Sequence, residues 1–354
     1  MDAPLVSVVI PYYNGAGFIT RALDSVVGQS YGTPEIVVVD DGSAEDPSRL
    51  LEPFLDSGRV RLLRHTSNKG IAAARNTGIR ASRSEFVAFL DQDDTWLPRK
   101  LELQLADLGD APDRDVGLFF ADVGEGTPGG RVRKLATRGR IPSDLNSLPR
   151  EAQLRALFGG NLIPLISAIV RRECFATVGL FDESIKGGAD DYEFCLRLVE
   201  HSRIHYLPEI VAVHWTHGEN YSADIERLIS DVFRFLTELA HRHSSLRRLL
   251  RPRLAQLHLD LAKYYLHEGN AREARASFEK SLLCGGRSAS LFPALLLSCC
   301  GTVGSRLYRA RRSLMRRLNR CSPDTVRVPR SGAATRREGD GERVQKRRCL
   351  ERGR

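Results

Sequence analysis

The chain has 354 residues, of which 42% are hydrophobic and 27% charged, and it carries a formal net charge of +9 at pH 7. This length accommodates one large α/β domain and a smaller helical region. The basic residues accumulate from Arg306 onward, so the charge gives no reason to expect nucleic acid as a partner of the main domain. No apolar run follows a basic segment at the N-terminus, which argues against a secretory signal.

The cysteines show no spacing typical of metal ligands, and two of them are merely adjacent. Such a pattern is expected of reduced, mostly structural cysteines in a cytoplasmic protein. The seven are Cys174, Cys195, Cys284, Cys299, Cys300, Cys321 and Cys349.

The first part of the chain alternates short apolar runs with amphipathic segments. The β-branched run Leu5 to Ile10 predicts a strand that stops at Pro11, and a helical stripe then extends to Gly28. The next strand, Glu35 to Val39, ends in two carboxylates, Asp40 and Asp41. A strand at 60–63, a turn at 68–70 and a helix over 71–82 follow. This order predicts a parallel, doubly wound sheet with its turns at one edge.

The segment Phe86 to Leu90 predicts a buried strand, and Asp91, Gln92, Asp93 and Asp94 follow it directly. Open α/β sheets bind ligands at this end of their strands. Three carboxylates within four residues repel one another unless a cation offsets them. The pattern therefore indicates a metal and phosphate site, with a solvated acidic turn before the next helix as the alternative.

The second half contains another acidic pair. A strand is expected over 116–123, and glycines and basic residues over 124–140 indicate an exposed hairpin or loop. Farther along, Gly187 and Gly188 precede Asp190 and Asp191, which begin an apolar-faced helix. These acids either take part in chemistry or only cap the helix.

From Ile225 the chain is predicted to be helical. One helical hairpin resembles a tetratricopeptide repeat through Leu261, Ala262, Tyr265, Gly269, Ala274, Phe278 and Ser281. The apolar run 291–300 is too short to span a bilayer, and the basic segment 306–320 follows it. Together they predict either peripheral contact with an anionic membrane, or a buried helix beside a solvated one. Residues 322–354 are expected to be disordered.

Four turns of the first half carry a family pattern. Neither a P-loop nor a GxGxxG sequence occurs at the first turn, which disfavours P-loop NTPases and dinucleotide-binding dehydrogenases. In order, the segments are PYYNGAGF, VVDDGS, NKGIAAARN and FLDQDDTW. Together they resemble the nucleotide-sugar-binding half of family 2 inverting glycosyltransferases with the GT-A fold. The resemblance extends from about Leu5 to Ser222, and it is loose between Gly124 and Arg155.

This resemblance implies an α/β chain with a GT-A type, mostly parallel nucleotide-sugar-binding sheet. The predicted C-terminal helical extension follows this sheet and lies beyond the resemblance. The catalytic domain would cover 1–222, with 1–110 as the nucleotide-sugar half and 111–222 as the acceptor half. The helical extension would cover 223–321 and the basic tail 322–354.

The resemblance also implies residue roles on the donor side. Nucleotide-sugar binding would involve Pro11, Tyr13, Asn14, Asp40, Asp41, Lys69, Arg75, Asp91, Gln92 and Asp93. Asp41, or its neighbour Asp40, would recognise the base, because a carboxylate can accept the imide N–H of uracil. Asn14 could instead only shape its turn, and Arg75 could be an ordinary exposed helix residue.

Asp91 and Asp93 look like the DxD pair of the family, in which the second acid holds a divalent cation, Mn²⁺ or Mg²⁺, on the diphosphate. Asp94 would then be an acid at a helix N-terminus. Trp96 would either line the sugar pocket or lie in the core.

On the acceptor side, Asp191 matches the catalytic base of the family, and Asp190 replaces the usual glutamate. His217 matches a family histidine that binds metal or diphosphate, although a lone histidine in a loop is more often structural. His214 stands near a position where arginine is common.

Taken together, the sequence predicts a metal-dependent inverting glycosyltransferase. It would move a sugar from a nucleoside diphosphate, UDP above all, to a hydroxyl of a glycan or lipid-linked acceptor in polysaccharide synthesis at the cell envelope. The expected location is the cytoplasm, at the inner face of the plasma membrane. A nucleotidyltransferase fits less well, because no glycine-rich phosphate loop follows the first strand. A catalytically silent nucleotide-sugar or glycan-binding scaffold is the alternative from another class.

Overall fold

Strands and helices alternate through the first half of the computed structural model. The model describes residues 6–32, 34–110, 115–126, 131–134, 141–215, 224–286, 306, 308–309 and 325–327. The strands are β1 (Val6–Tyr12), β2 (Glu35–Asp40), β3 (Val60–Arg64), β4 (Phe86–Phe89), β5 (Thr95–Trp96), β6 (Val116–Gly126), β7 (Arg131–Lys134), β8 (Ile169–Arg171), β9 (Arg203–Trp215) and β10 (Thr325–Arg327). The helices are α1 (Ile19–Val27), α2 (Ser48–Leu55), α3 (Ile71–Ala81), α4 (Lys100–Asp110), α5 (Arg150–Phe158), α6 (Cys174–Val178), α7 (Asp190–Val199), α8 (Ile225–Arg242), α9 (Arg247–Glu268) and α10 (Ala271–Leu283).

The part of the sheet built from β1 to β4 is parallel, as the sequence predicts. Its strands lie in the order β4-β1-β2-β3, and each neighbouring pair is parallel. The residues of β1 are all buried, and helices cover both faces of such a sheet. Tyr12 pairs with Asp40 in the register of β1 and β2, so the turns after both strands lie side by side.

Beyond β4 the sheet is mixed. The strand β8 runs antiparallel to both β4 and β6, whereas β6 and β9 are parallel. The strand β9 also pairs with the two-residue β5 that follows the acidic turn. Within the span 124–140, where an exposed hairpin or loop is expected, the described residues of β6 and β7 pair antiparallel.

The C-terminal helices pack on the acceptor half. Phe235, Leu236 and Leu239 of α8 belong to the same buried cluster as Leu157 of α5 and Phe194 of α7. The helices α9 and α10 form the predicted helical hairpin, which turns at Gly269 with a φ of 93°. Within the described residues, α8 therefore shares its core with the preceding residues.

Several predictions concern residues at or beyond the end of the described helices. Residues 325–327 form β10 and pair with β7, so the prediction of disorder is wrong for these three. The apolar run 291–300, most of the basic segment 306–320 and the rest of the tail lie outside the described residues. Across the part of the chain that is described, no helix has both the length and the apolarity to span a membrane.

Candidate active site

The turns at the carboxyl end of the parallel strands enclose a cleft of about 400 Å³. Residues from both halves of the domain line it, because α7 begins beside the donor turns. The predicted residues among them are Pro11, Tyr13, Asn14, Asp41, Arg75, Asp91, Gln92, Asp93, Asp190 and Asp191. The others are Tyr12, Phe18, Asn68, Gly70, Ile71, Ala74, Gly188 and His214.

Hydrogen bonds fix the first turn against its neighbours. Asn14 has a φ of 48°. Its side-chain oxygen accepts a hydrogen bond from the backbone N–H of Ala44, and its own backbone N–H donates to the hydroxyl of Ser43. The Gln92 side chain accepts from the N–H of Tyr13 and donates to its carbonyl, at 2.9 and 3.1 Å. Gln92 therefore joins the first turn to the acidic turn, and the 45% exposed ring of Tyr13 is left facing the cleft.

The two acids after β2 have different surroundings. Asp40 is fully buried, accepts from the N–H of Ser43 and forms an ion pair with Arg64 at 3.0 Å, so it holds its own loop together. Asp41 lines the cleft and accepts from the backbone N–H groups of Lys69 and Gly70. Of the two alternatives for base recognition, the geometry favours Asp41.

Arg75 joins the two acidic motifs. It is only 5% exposed, so the alternative of an ordinary surface arginine is wrong. Its Nη1 donates to Asp190 at 2.6 Å and its Nη2 to Asp91 at 3.0 Å. Its buried Nε has no hydrogen-bond partner in the described structure. A single guanidinium thus joins Asp91, which follows β4, to Asp190 at the start of α7.

Asp191 is a half-buried carboxylate at the first turn of α7. Its Oδ1 accepts from its neighbour's backbone, the N–H of Tyr192, at 2.6 Å, and the side-chain nitrogen of Asn161 lies 3.4 Å from its Oδ2. Burial, and then the charge of Asp190, raise the pKa of Asp191 to about 7, while Arg75 opposes this rise. A carboxylate with such a pKa can take up a proton near neutral pH.

Asp94 differs from its acidic neighbours. It is 2% exposed, and its Oδ1 accepts from the N–H of Trp215 and lies 3.0 Å from Nδ1 of His214. Burial raises the pKa of Asp94 to about 6, and the hydrogen bond to Asp94 raises the pKa of His214 to about 9. Asp94 therefore links the acidic turn to β9, and the prediction of a helix N-terminal acid is wrong because α4 begins only at Lys100.

Lys69 and Trp96 are not among the residues that line the cleft. Lys69 is exposed, and its carbonyl accepts from Lys186 at 2.7 Å. Trp96 is 3% exposed and donates to the carbonyl of Ile166, which supports the alternative of a core tryptophan. His217 lies outside the described residues.

Two contacts of the cleft were not predicted. Asn161, which approaches Asp191, and His65, which contacts Asp41, have no distinctive spacing in the sequence. His214 was noted only as standing near an expected arginine, and its alignment beside Asp94 depends on the pairing of β5 with β9.

The acidic side chains that line the cleft suit a divalent cation that a substrate phosphate would also bind. No group of three potential ligands, among histidine, cysteine and acidic side chains, is close enough to hold a metal within the described ranges. Asp91 and Asp93 nevertheless both line the cleft. Mg²⁺ at phosphate-transfer sites is commonly held by one or two carboxylates plus substrate phosphates, so this pair fits such an ion.

Comparisons with known proteins agree with this arrangement. The family model described as glycosyl transferase family 2 matches residues 7–172. A curated relative is the UDP-Glc:alpha-D-GlcNAc-diphosphoundecaprenol beta-1,3-glucosyltransferase WfgD of Escherichia coli, 41% identical over 106 residues, or 30% of this chain and 42% of WfgD. The chain spans 24% to 63% of the length of WfgD and seven further glycosyltransferase relatives.

Two solved structures share the fold. S. aureus TarS 1–349 in complex with UDP-GlcNAc gives a TM-score of 0.58 at 16% identity and covers 88% of this chain and 91% of TarS 1–349. The mannosyltransferase PcManGT from Pyrobaculum calidifontis, in complex with GDP-Man and Mn²⁺, gives 0.53 at 20% identity, covering 88% and 87%. Both confirm the GT-A type architecture.

Proposed function

We propose, from the premise that residues 7–172 belong to glycosyl transferase family 2, that this glycosyltransferase moves a sugar from a nucleoside diphosphate to a hydroxyl with inversion. UDP is the nucleotide that the proposal favours, because Asp41 can accept the imide N–H of uracil. The acceptor would be a glycan or a lipid-linked glycan in polysaccharide synthesis, as the name of the relative WfgD suggests.

The observation that supports this proposal most directly is the pairing of Arg75 with Asp91 and Asp190. It brings the donor motif and the acceptor motif, 115 residues apart in the chain, to one cleft. A transferase needs both motifs at one point, because its two substrates must react within bonding distance.

Asp191 would act as the general base. An inverting transfer requires a base opposite the leaving diphosphate, which accepts the proton of the acceptor hydroxyl as its oxygen attacks the anomeric carbon. The carboxylate of Asp191 lines the cleft, and the N–H of Tyr192 fixes its Oδ1. Asn161 would hold the carboxylate from the acceptor side.

Asp93, with Asp91 beside it, would hold the divalent cation, Mn²⁺ or Mg²⁺. When bound, such a cation offsets the charge of the leaving diphosphate. Arg75 has further N–H groups beyond its two carboxylate bonds, and these are suited to phosphate oxygens. His217 remains a predicted metal or diphosphate ligand.

The alternative function is a catalytically inactive nucleotide-sugar-binding scaffold. It would use the same cleft for binding, so only turnover separates the two functions.

A calorimetric titration tests the donor and metal parts of the proposal. UDP, GDP and dTDP would each be titrated, with and without Mn²⁺ or Mg²⁺, into the wild type and into Asp93→Ala. We expect one diphosphate to bind in the presence of metal and to lose about tenfold or more in affinity in Asp93→Ala, because a carboxylate ligand is lost.

The matched control is Asp24→Ala, which removes an exposed acid of α1 outside the cleft lining. This control should bind like the wild type. Binding that is equally strong without metal, or unchanged in Asp93→Ala, would contradict the metal site. Failure of all three diphosphates would contradict the donor proposal itself.

A further inference from the structure

A row of three polar side chains lies behind the base-recognition candidate Asp41. Nδ1 of His65, which follows β3, lies 2.7 Å from Oδ1 of Asp41. Nε2 of the same ring lies 2.9 Å from the hydroxyl of Thr77 on α3. The His65 and Asp41 side chains are only 8% and 5% exposed. The row therefore connects α3 to the end of β2, and two of its three side chains, His65 and Asp41, are almost fully buried.

The chemistry of the row fixes its direction. An ionised carboxylate accepts hydrogen bonds and donates none. Nδ1 of His65 must therefore carry a hydrogen and donate a hydrogen bond to Asp41. The hydroxyl of Thr77 can then donate to a neutral Nε2 or accept from a protonated one. In both states Thr77 holds the plane of the ring that points at Asp41.

The number of hydrogen bonds that the Asp41 carboxylate accepts can be compared with the number of its acceptor positions. Oδ1 accepts from His65 and from the N–H of Lys69, and Oδ2 accepts from the N–H of Gly70 at 2.8 Å. A carboxylate offers about four acceptor positions, so the described part of the chain leaves one on Oδ2. Asp41 lines the cleft, whereas neither His65 nor Thr77 does.

The backbone around Asp41 is held equally closely. The N–H of Asp41 donates to the carbonyl of Tyr12, and the N–H of His65 donates to the carbonyl of Asp40. At Gly42, with a φ of 74°, a methyl group would lie 2.4 Å from the backbone of Ser67. The loop after β3 thus lies directly on the Asp41 turn. Its backbone N–H groups at Lys69 and Gly70 hold the two carboxylate oxygens, and His65 is the side chain that adds to this hold.

We propose that His65 and Thr77 are positioning residues for nucleobase recognition, which hold the Asp41 carboxylate so that one acceptor position on Oδ2 faces an N–H of the base. This inference rests on the proposed function, because it assumes a nucleoside diphosphate donor. His65 and Thr77 act through Asp41 and do not touch the donor. The ligand class is a nucleotide whose base presents a ring N–H, of which uracil is the simplest.

A competing explanation is that the row only fastens the loop after β3 to the sheet. The two explanations differ in measurable ways. If the row only fastens the loop, replacing His65 changes the unfolding temperature and leaves the affinity for the nucleotide unchanged. If His65 instead positions Asp41, replacing His65 weakens nucleotide binding only while the carboxylate of Asp41 is present.

A double-mutant cycle on the full chain tests the inference. The dissociation constant of the tightest binder among UDP, GDP and dTDP would be measured by calorimetry for the wild type, His65→Phe, Asp41→Asn and the double variant. We expect His65→Phe to weaken binding about tenfold, the size typical of a lost hydrogen bond to a charged group. We expect the double variant to bind no more weakly than Asp41→Asn alone.

Two further variants keep the test decisive. His65→Asn places an amide nitrogen near the position of Nδ1 and should restore most of the affinity, whereas Thr77→Val should cause a smaller loss than His65→Phe. Additive losses in the cycle, or a lower unfolding temperature with unchanged binding, would overturn the inference. If the wild type binds none of the three diphosphates, the proposed function fails first and this inference with it; if the wild type binds and His65→Phe binds equally well, only this inference fails.

Discussion

At the scale of single residues, the pKa of Asp191 depends on two neighbouring charges, those of Asp190 and Arg75. Asp190 and Asp191 begin α7 next to each other, and the charge of Asp190 raises the pKa of Asp191. Arg75 donates to Asp190 and opposes this rise. The pKa of Asp191, the proposed base, therefore lies where the carboxylate is largely ionised above neutral pH and can still accept a proton.

The exchange Asp191→Asn removes the proposed base and leaves a side chain of nearly the same shape. Transfer should fall by about 10²- to 10⁴-fold, the usual contribution of a general base, while the donor binds as before. Release of nucleoside diphosphate from the sugar donor, measured with a suitable acceptor, gives the rate. Asp24→Asn serves as the control. An unchanged rate in Asp191→Asn would contradict Asp191 as the base, whereas a wild type that releases no nucleoside diphosphate although it binds the donor would favour the scaffold function.

The same residue predicts the pH dependence of the wild type. Because the pKa of Asp191 is raised to about 7, the ionised form that accepts a proton increases as the pH rises through 7 and is lost below it. The value of kcat/KM should therefore fall as the pH decreases from 8 to about 6, because this quantity reports the ionisation of the free enzyme. A value that stays flat over this range would argue against Asp191 as the base.

At the scale of elements, the loop before α7 is positioned by a helix from the C-terminal region. The N–H of Gly187 donates to Asp231 of α8 at 3.2 Å. A methyl group at Gly187 would lie 2.5 Å from the backbone nitrogen of Leu228. Only glycine allows the loop to approach α8 this closely, so α8 determines where Asp190 and Asp191 enter the cleft.

We expect Gly187→Ala to separate the loop from α8. The overlap is with backbone atoms, which cannot rotate away, so the free energy of unfolding should fall by about 1 to 3 kcal/mol and the rate of transfer should fall with it. Thermal unfolding and a transfer assay measure the two effects. At Gly17 a methyl group would meet nothing within 4 Å, so Gly17→Ala should unfold like the wild type. Equal stability of both variants would contradict the contact.

At the scale of the whole molecule, the described helices and the sheet share buried side chains. Leu236 of α8 is fully buried in the cluster that also contains Tyr192 of α7 and Leu118 of β6. A second cluster on the other side of the sheet joins β1 and β4 to α1 and α4. A boundary drawn at residue 222 therefore separates segments of one core.

We expect Leu236→Ala to lower the free energy of unfolding by about 2 to 5 kcal/mol, because it leaves a cavity between α8 and the acceptor half. Unfolding should remain a single transition when followed by circular dichroism and by tryptophan fluorescence. The control is Leu282→Ala, since Leu282 is 46% exposed and should matter by about 0.5 kcal/mol or less. Two separate transitions would indicate that α8 folds independently.

The sequence by itself determined the strands, the helices and the turns that follow them in the first half. Apolar runs that end at Pro11, Asp40 and Asp91 predicted parallel strands, and parallel strands place their carboxyl ends at one edge. Local signals of this kind suffice, because each depends on a few neighbouring residues. The family pattern of four turns added the expected chemistry.

Only the tertiary structure decided how side chains pair across the cleft. Arg75 and Asp190 are 115 residues apart, and Asp94 and His214 are 120 residues apart. Such contacts depend on strand register and on helix packing, which no local pattern encodes. For the same reason the sequence left the role of Trp96 open, and burial against the carbonyl of Ile166 decided it.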